Sequence, residues 1–110
     1  MNLRQIDDSV YISGQMTAED LADLHRLGIR TIICNRPDGE VADQPGFAAL
    51  QQAAQQYGII MHYIPVVPPH ATPEQVQAMA QALQRAERPV VAYCKSGGRA
   101  QMLYKLATGQ

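Results

Sequence analysis

Two cysteines, Cys34 and Cys94, are all the chain contains, too few for a disulfide scaffold or a cysteine zinc site, so thiol chemistry is the more plausible use for them. Charge of one sign is equally scarce. Nine Lys and Arg stand against ten Asp and Glu, a net charge of -1, which gives no basic field for nucleic acid and leaves any positive potential to be local. No apolar run is long enough to span a membrane. Met1 to Gln15 carries Arg4, Asp7 and Asp8 among its few apolar residues and so lacks the core of a signal peptide. A cytoplasmic protein with neither membrane nor nucleic acid as partner is the expectation. No tract is repeated or low in complexity, and 110 residues suit a single domain, 1–110, with one hydrophobic core.

Along the chain, Leu3 to Ile6 and Val10 to Ile12 alternate around Asp7-Asp8-Ser9, which predicts a small hairpin. Thr17 with Asp20 reads as a helix cap, Leu21, Leu24 and Leu27 as one apolar face and Gly28 as the stop. Thr31 to Cys34 is a β-branched run that ends in a polar loop, Asn35 to Glu40. A second helix after Pro45 (Phe47, Leu50, Ala54, Tyr57, then Gly58) precedes a strand at Ile59 to Ile64. Thr72-Pro73-Glu74-Gln75 then forms a capping box for a third helix carrying Val76, Met79 and Leu83. Pro89 opens the last strand, and the final helix carries Leu103 and Leu106. Strands alternating with helices predict an α/β fold, a mostly parallel sheet with helices on both faces. Ligands in such sheets bind beyond the carboxyl ends of the strands, where Asn35 to Gln44, Pro65 to Ala71 and Cys94 to Arg99 would gather.

The stretch Val90 to Arg99 carries the chemistry. A β-branched run feeds a cysteine, a glycine-rich bend and a helix start, an arrangement whose amides and dipole favour a thiolate or an oxyanion. Cys94 is the candidate nucleophile; the competing reading is a buried thiol packing as a small hydrophobe. Lys95, Ser96, Gly97 and Gly98 form the anion-binding loop, with the glycines free to take positive φ. Arg99 is placed to fork two N–H donors toward an oxyanion over Cys94. His25 and His62 lack ligand-like spacing, so no metal is assigned and no cofactor is expected.

Several segments carry a family resemblance: Val10-Tyr11-Ile12-Ser13-Gly14, His62-Tyr63-Ile64-Pro65-Val66 and the Cys94 to Arg99 loop resemble the dual-specificity tyrosine phosphatase fold. Ser13-Gly14-Gln15, Asn35 to Glu40, Gln44-Pro45 and Tyr93 to Arg99 more closely resemble the bacterial beta-lactamase-hydrolase-like phosphatase-like domain, DUF442, known in places as a sulfur transferase. The resemblance covers nearly the whole chain. It implies a further helical segment after Gln110, hence a shortened copy, and places Arg36 and Asp38 at the border of the site, with Arg36 a second anion contact; a turn held by its own salt links is the alternative. It also puts Cys34 on the strand beside that of Cys94, where Cys34 would resolve an oxidised Cys94, against a buried core thiol as the commoner fate. A metallo-beta-lactamase-fold persulfide-processing partner is implied as well.

The departures from a tyrosine phosphatase shape the functional expectation. Lys95 to Gly98 are four residues between cysteine and arginine, where that family has five. Tyr93 replaces its histidine, Ala100 its serine or threonine, and Val66 to His70 offers no carboxylate as general acid, leaving His70 as a stand-in. A four-residue spacing with a central glycine resembles the rhodanese loop, whose cysteine carries a persulfide. Sulfur transfer through a Cys94 persulfide needs no acid and is the leading expectation. The alternative is a phosphatase working through a Cys94 phosphocysteine, and the third reading is a non-catalytic anion- or partner-binding module. The substrate is accordingly a small sulfur-containing or phosphorylated molecule.

Overall fold

A computed structural model describes all residues, 1–110. Two short strands open it, β1 (Arg4–Asp7) and β2 (Val10–Ser13), paired antiparallel as the predicted hairpin. They are followed by α1 (Ala18–Arg26), β3 (Thr31–Cys34), α2 (Phe47–Gln55), β4 (Ile60–Tyr63), α3 (Pro73–Arg85), β5 (Val90–Tyr93) and α4 (Gly98–Thr108). The sheet order is β1-β2-β5-β3-β4, with β2, β5, β3 and β4 parallel. The central strands β3 and β5 are buried along their whole length, while the edge strands β1 and β4 are partly exposed, as expected of a parallel sheet covered on both faces.

Alternation of side chains divides the core in two. Val10, Ile12, Ile33, Val90, Ala92 and Cys94 pack on one face with Met79 and Leu83 of α3 and Leu103 and Tyr104 of α4. Ile32, Cys34, Val91 and Tyr93 pack on the other with Leu21 and Leu24 of α1 and Leu50 and Ala54 of α2. The mostly parallel α/β architecture with helices on both faces is therefore the one observed.

Local signals act where expected. Thr17 and Asp20 form a capping box on α1, and Thr72 and Gln75 one on α3. One expectation fails at a helix end. α1 stops at Arg26, so Leu27 becomes its C-cap residue and is 62% exposed instead of continuing the apolar face. α4 carries Leu103 and Leu106 as expected, with Leu106 on its outer side and 51% exposed. No helix is long and apolar enough to cross a membrane.

Candidate functional site

The carboxyl ends of β2, β5, β3 and β4 gather the loops that frame Cys94. Cys94 itself leaves β5 fully buried, 1% exposed, with its backbone N–H still donated to the Ser13 carbonyl of β2. The chain then turns tightly. Gly97 takes a left-handed φ of +100°, which lets its N–H donate to the Cys94 sulfur at 3.1 Å and starts α4 immediately afterward. A Cβ at Gly97 would lie 3.1 Å from Ile12 Cγ2 and 3.4 Å from Arg4 Nη2, so glycine is required there for both conformation and space. From the β2 side Gly14 presses on the same loop, since a Cβ there would come within 3.0 Å of the Lys95 carbonyl. That carbonyl also accepts the Gln15 N–H at 3.1 Å. Lys95 and Ser96 are exposed at the loop surface.

Arg99, in the first turn of α4, is held rigidly, though not as a free fork. Its Nη1 donates to Glu40 Oε2 at 2.8 Å and to the Val66 carbonyl at 3.0 Å, and its Nη2 donates to Glu40 Oε1 at 2.9 Å. The Nη1/Nη2 fork is thus spent on Glu40. Of the five guanidinium N–H donors, Nε–H and one on Nη2 remain for an anion. Arg36, 4% exposed, donates through Nε to the same Glu40 oxygen at 2.9 Å and through Nη1 to Gln15 Oε1 at 3.1 Å. The two arginines hold the Glu40 carboxyl far below its ordinary range, down to about 2, with the Arg99 hydrogen bonds the largest cause. Reciprocally, Glu40 raises the Arg99 guanidinium against an opposing burial penalty, and Cys94 adds to the rise. The pair of like charges is tolerable because one carboxylate sits between them.

The remaining predicted residues are less central. Asp38 lies in the bordering loop, but its Oδ1 accepts the Phe47 N–H at 2.9 Å and its own N–H is donated to the Tyr63 hydroxyl at 3.0 Å; it fastens the start of α2. His70 is exposed on the loop after β4. Cys34 corrects a simple expectation from strand adjacency. β3 does lie beside β5, with Cys34 level with Tyr93, but Cys34 packs on the α1/α2 face and Cys94 on the α3/α4 face. The sheet separates the thiols, and both are free. Cys34 donates to the Arg36 carbonyl at 3.2 Å, and burial pushes its ionisation up. Tyr93, in the histidine position of phosphatases, is 1% exposed, and burial drives its phenol well above the ordinary range.

Sequence reasoning gave three residues no role of their own. Glu40 was read only as part of the Asn35 to Glu40 loop; its capture by Arg99 depends on a contact 59 positions away. Gln15 was part of a quoted segment without a role. Asn35, at the end of β3, is fully buried beside the loop, and nothing in its turn-rich surroundings marked it.

A tyrosine-phosphatase-like α/β sheet that delivers a cysteine into a helix-opening loop, with an arginine in the next turn, defines a cysteine-based, phosphatase-like domain. The chain belongs to the family described as the phosphatase-like domain of beta-lactamase hydrolase-like protein, whose model matches residues 2–110. It is 39% identical over 107 residues to a beta-lactamase hydrolase-like protein of Xylella fastidiosa, a match covering 97% of this chain and 25% of that protein. The chain therefore spans about a quarter of the length of that curated relative. Among solved structures, a candidate phosphatase of Neisseria meningitidis superposes with a TM-score of 0.88 at 40% identity, covering 94% of this chain and 74% of the other. TpbA of Pseudomonas aeruginosa, a C132S form in complex with pTyr, shares the fold at 21% identity with a TM-score of 0.72, over 98% of this chain and 64% of the other.

Proposed function

We propose that the domain is a cysteine-dependent phosphatase acting on small phosphate monoesters with good leaving groups, through a Cys94 phosphocysteine. The observation that supports it most is the pairing of a sulfur that accepts the Gly97 N–H at 3.1 Å with an Arg99 immobilised by Glu40 and the Val66 carbonyl. The Cys94 thiolate attacks phosphorus and the bond to the leaving oxygen breaks. Water then attacks the phosphocysteine, releasing phosphate and restoring the thiolate. Arg99 Nε–H and its spare Nη2–H, with the loop amides, offset charge on the equatorial oxygens. No carboxylic acid stands ready to protonate the leaving oxygen: Glu40 titrates at about 2 and Asp38 is bonded to Phe47. Aryl phosphates, whose leaving groups depart with little help, are the matching substrates.

The same observation, together with the four-residue loop, favours one second reading, sulfur transfer. Here the Cys94 thiolate attacks the sulfane sulfur of thiosulfate, the S–S bond breaks, sulfite departs with the electron pair, and an acceptor thiol later takes the sulfur from the Cys94 persulfide. A metallo-beta-lactamase-fold partner that processes the product persulfide belongs with that reading. Side-by-side assays separate the two. Phosphate release from an aryl phosphate panel, abolished in Cys94→Ser, supports the phosphatase; no release from acid to neutral pH, with one sulfur added to Cys94 by mass spectrometry after thiosulfate treatment, replaces it with sulfur transfer. Cys94 alkylating as an ordinary thiol in both assays' absence of turnover leaves an anion-binding module.

A further inference from the structure

Every buried side-chain nitrogen or oxygen in the protein finds a hydrogen-bond partner except one, Asn35 Oδ1. Asn35 is 0% exposed, and an unpaired acceptor in such a place costs about 1–3 kcal/mol. Its backbone is satisfied, with N–H donated to the Tyr93 carbonyl at 2.8 Å and its carbonyl accepting the Val66 N–H at 3.1 Å. The orientation of its amide is fixed as well, because Nδ2 must be the end that donates to the Ile64 carbonyl at 2.9 Å.

Register then places this orphan oxygen. Cys34 is level with Tyr93 in the parallel β3–β5 ladder, so the next pair along the ladder is Asn35 with Cys94. Successive residues of a strand face opposite sides of the sheet. Cys34 faces α1 and α2, so Asn35 faces α3 and α4, where its Nδ2 lies 3.9 Å from Met79 Sδ and where Cys94 also packs. β3 lies between β4 and β5. With Nδ2 donating to Ile64 beyond β4, the oxygen arm of the planar amide is left for the β5 side, the strand from which Cys94 emerges.

We propose that Asn35 is a positioning residue for Cys94, its Oδ1 anchoring one buried water that donates its second hydrogen to the Cys94 sulfur. The thiolate then has a donor on its inner side to complement the Gly97 N–H. Buried waters of this kind need at least two polar partners, and these two groups supply them. The inference rests on Cys94 being the reactive thiol and is indifferent to whether phosphate or sulfur is transferred. The other titratable or charged groups around the sulfur are Arg99 of α4 with its partner Glu40, Lys95 of the loop, Cys34 across the sheet and Tyr93 beside it. α3 presents the uncharged Met79.

The test is the pH profile of Cys94 alkylation by iodoacetamide, followed by mass spectrometry in the intact chain. In Asn35→Leu the midpoint moves up by about one unit, the loss of one hydrogen bond to a charged sulfur, and alkylation below both midpoints slows about tenfold. Met79→Leu, which disturbs the same packing without touching the acceptor, leaves the midpoint in place. An Asn35→Leu curve that superimposes on the wild type overturns the proposal. A wild-type midpoint at that of an ordinary thiol counts against Cys94 as nucleophile, whereas the Asn35-dependent shift is scored separately from it. Should Asn35→Leu not fold, a high-resolution crystal structure of the wild type decides: a water within hydrogen-bond distance of both Asn35 Oδ1 and Cys94 Sγ upholds the proposal, and a dry contact overturns it.

Discussion

Replacing Glu40 with glutamine keeps its shape and removes the charge that holds two guanidiniums together. Three hydrogen bonds of 2.8–2.9 Å converge on this carboxylate, two from Arg99 and one from Arg36. Its titration falls from an ordinary 4.5 to about 2, which at about 1.4 kcal/mol per unit sets a ceiling of about 3–4 kcal/mol. The Glu40 side chain is 27% exposed against 4% for Arg36 and 11% for Arg99, and solvent screening lowers the expected loss to about 1–2 kcal/mol. In a domain of this size that is a drop of roughly 5–10 °C in Tm. The sign with pH follows from a depressed folded-state value: the stabilisation is complete above the ordinary 4.5 and disappears as pH falls through about 2. Urea unfolding of wild type and Glu40→Gln from neutral to strongly acidic pH measures this difference and its disappearance. Turnover of an aryl phosphate should fall about ten- to a hundredfold as Arg99 loses its fixed direction. Equal urea midpoints at neutral pH, or a gap that persists undiminished near pH 2, would refute the reasoning.

Gly97→Ala forces a Cβ against Ile12 at a φ of +100°, so thermal melting should show a loss of about 1–3 kcal/mol, with Cys94 alkylation slowed in the protein that remains folded. Cys34→Ala removes a buried sulfur at a cost of about 1 kcal/mol or more yet leaves the Cys94 alkylation rate unchanged, and mild oxidation of the wild type gives no Cys34–Cys94 crosslink by peptide mapping, because the sheet lies between them. His70→Gln keeps kcat for aryl phosphates within about twofold across the acid limb of the profile, since an exposed imidazole without a contact to the loop is a poor proton donor to it; a steep loss would restore His70 as the acid.

The order of strands and helices was legible because each element carries its own local signal. The capping boxes at Thr17 and Thr72, the glycine stops and the β-branched runs of β3 and β5 all depend on residues a few positions apart. So was the thiol loop, since strand, cysteine, glycines and arginine are contiguous from Val90 to Arg99. The sequence by itself determined that a thiol in a glycine-rich loop precedes the last helix, with four residues between it and an arginine. What tertiary structure decided is how that arginine and thiol are held. Glu40 reaches Arg99 across 59 positions, Val66 across 33, and Asn35 becomes the neighbour of Cys94 only once β5 is inserted between β2 and β3. Pairing of distant strands is fixed by packing on both faces of the sheet, a property of the folded whole that no short stretch encodes. The same alternation that places Asn35 on the face of Cys94 sends Cys34 to the other, turning two cysteines that look like partners along the chain into one buried core thiol and one candidate nucleophile.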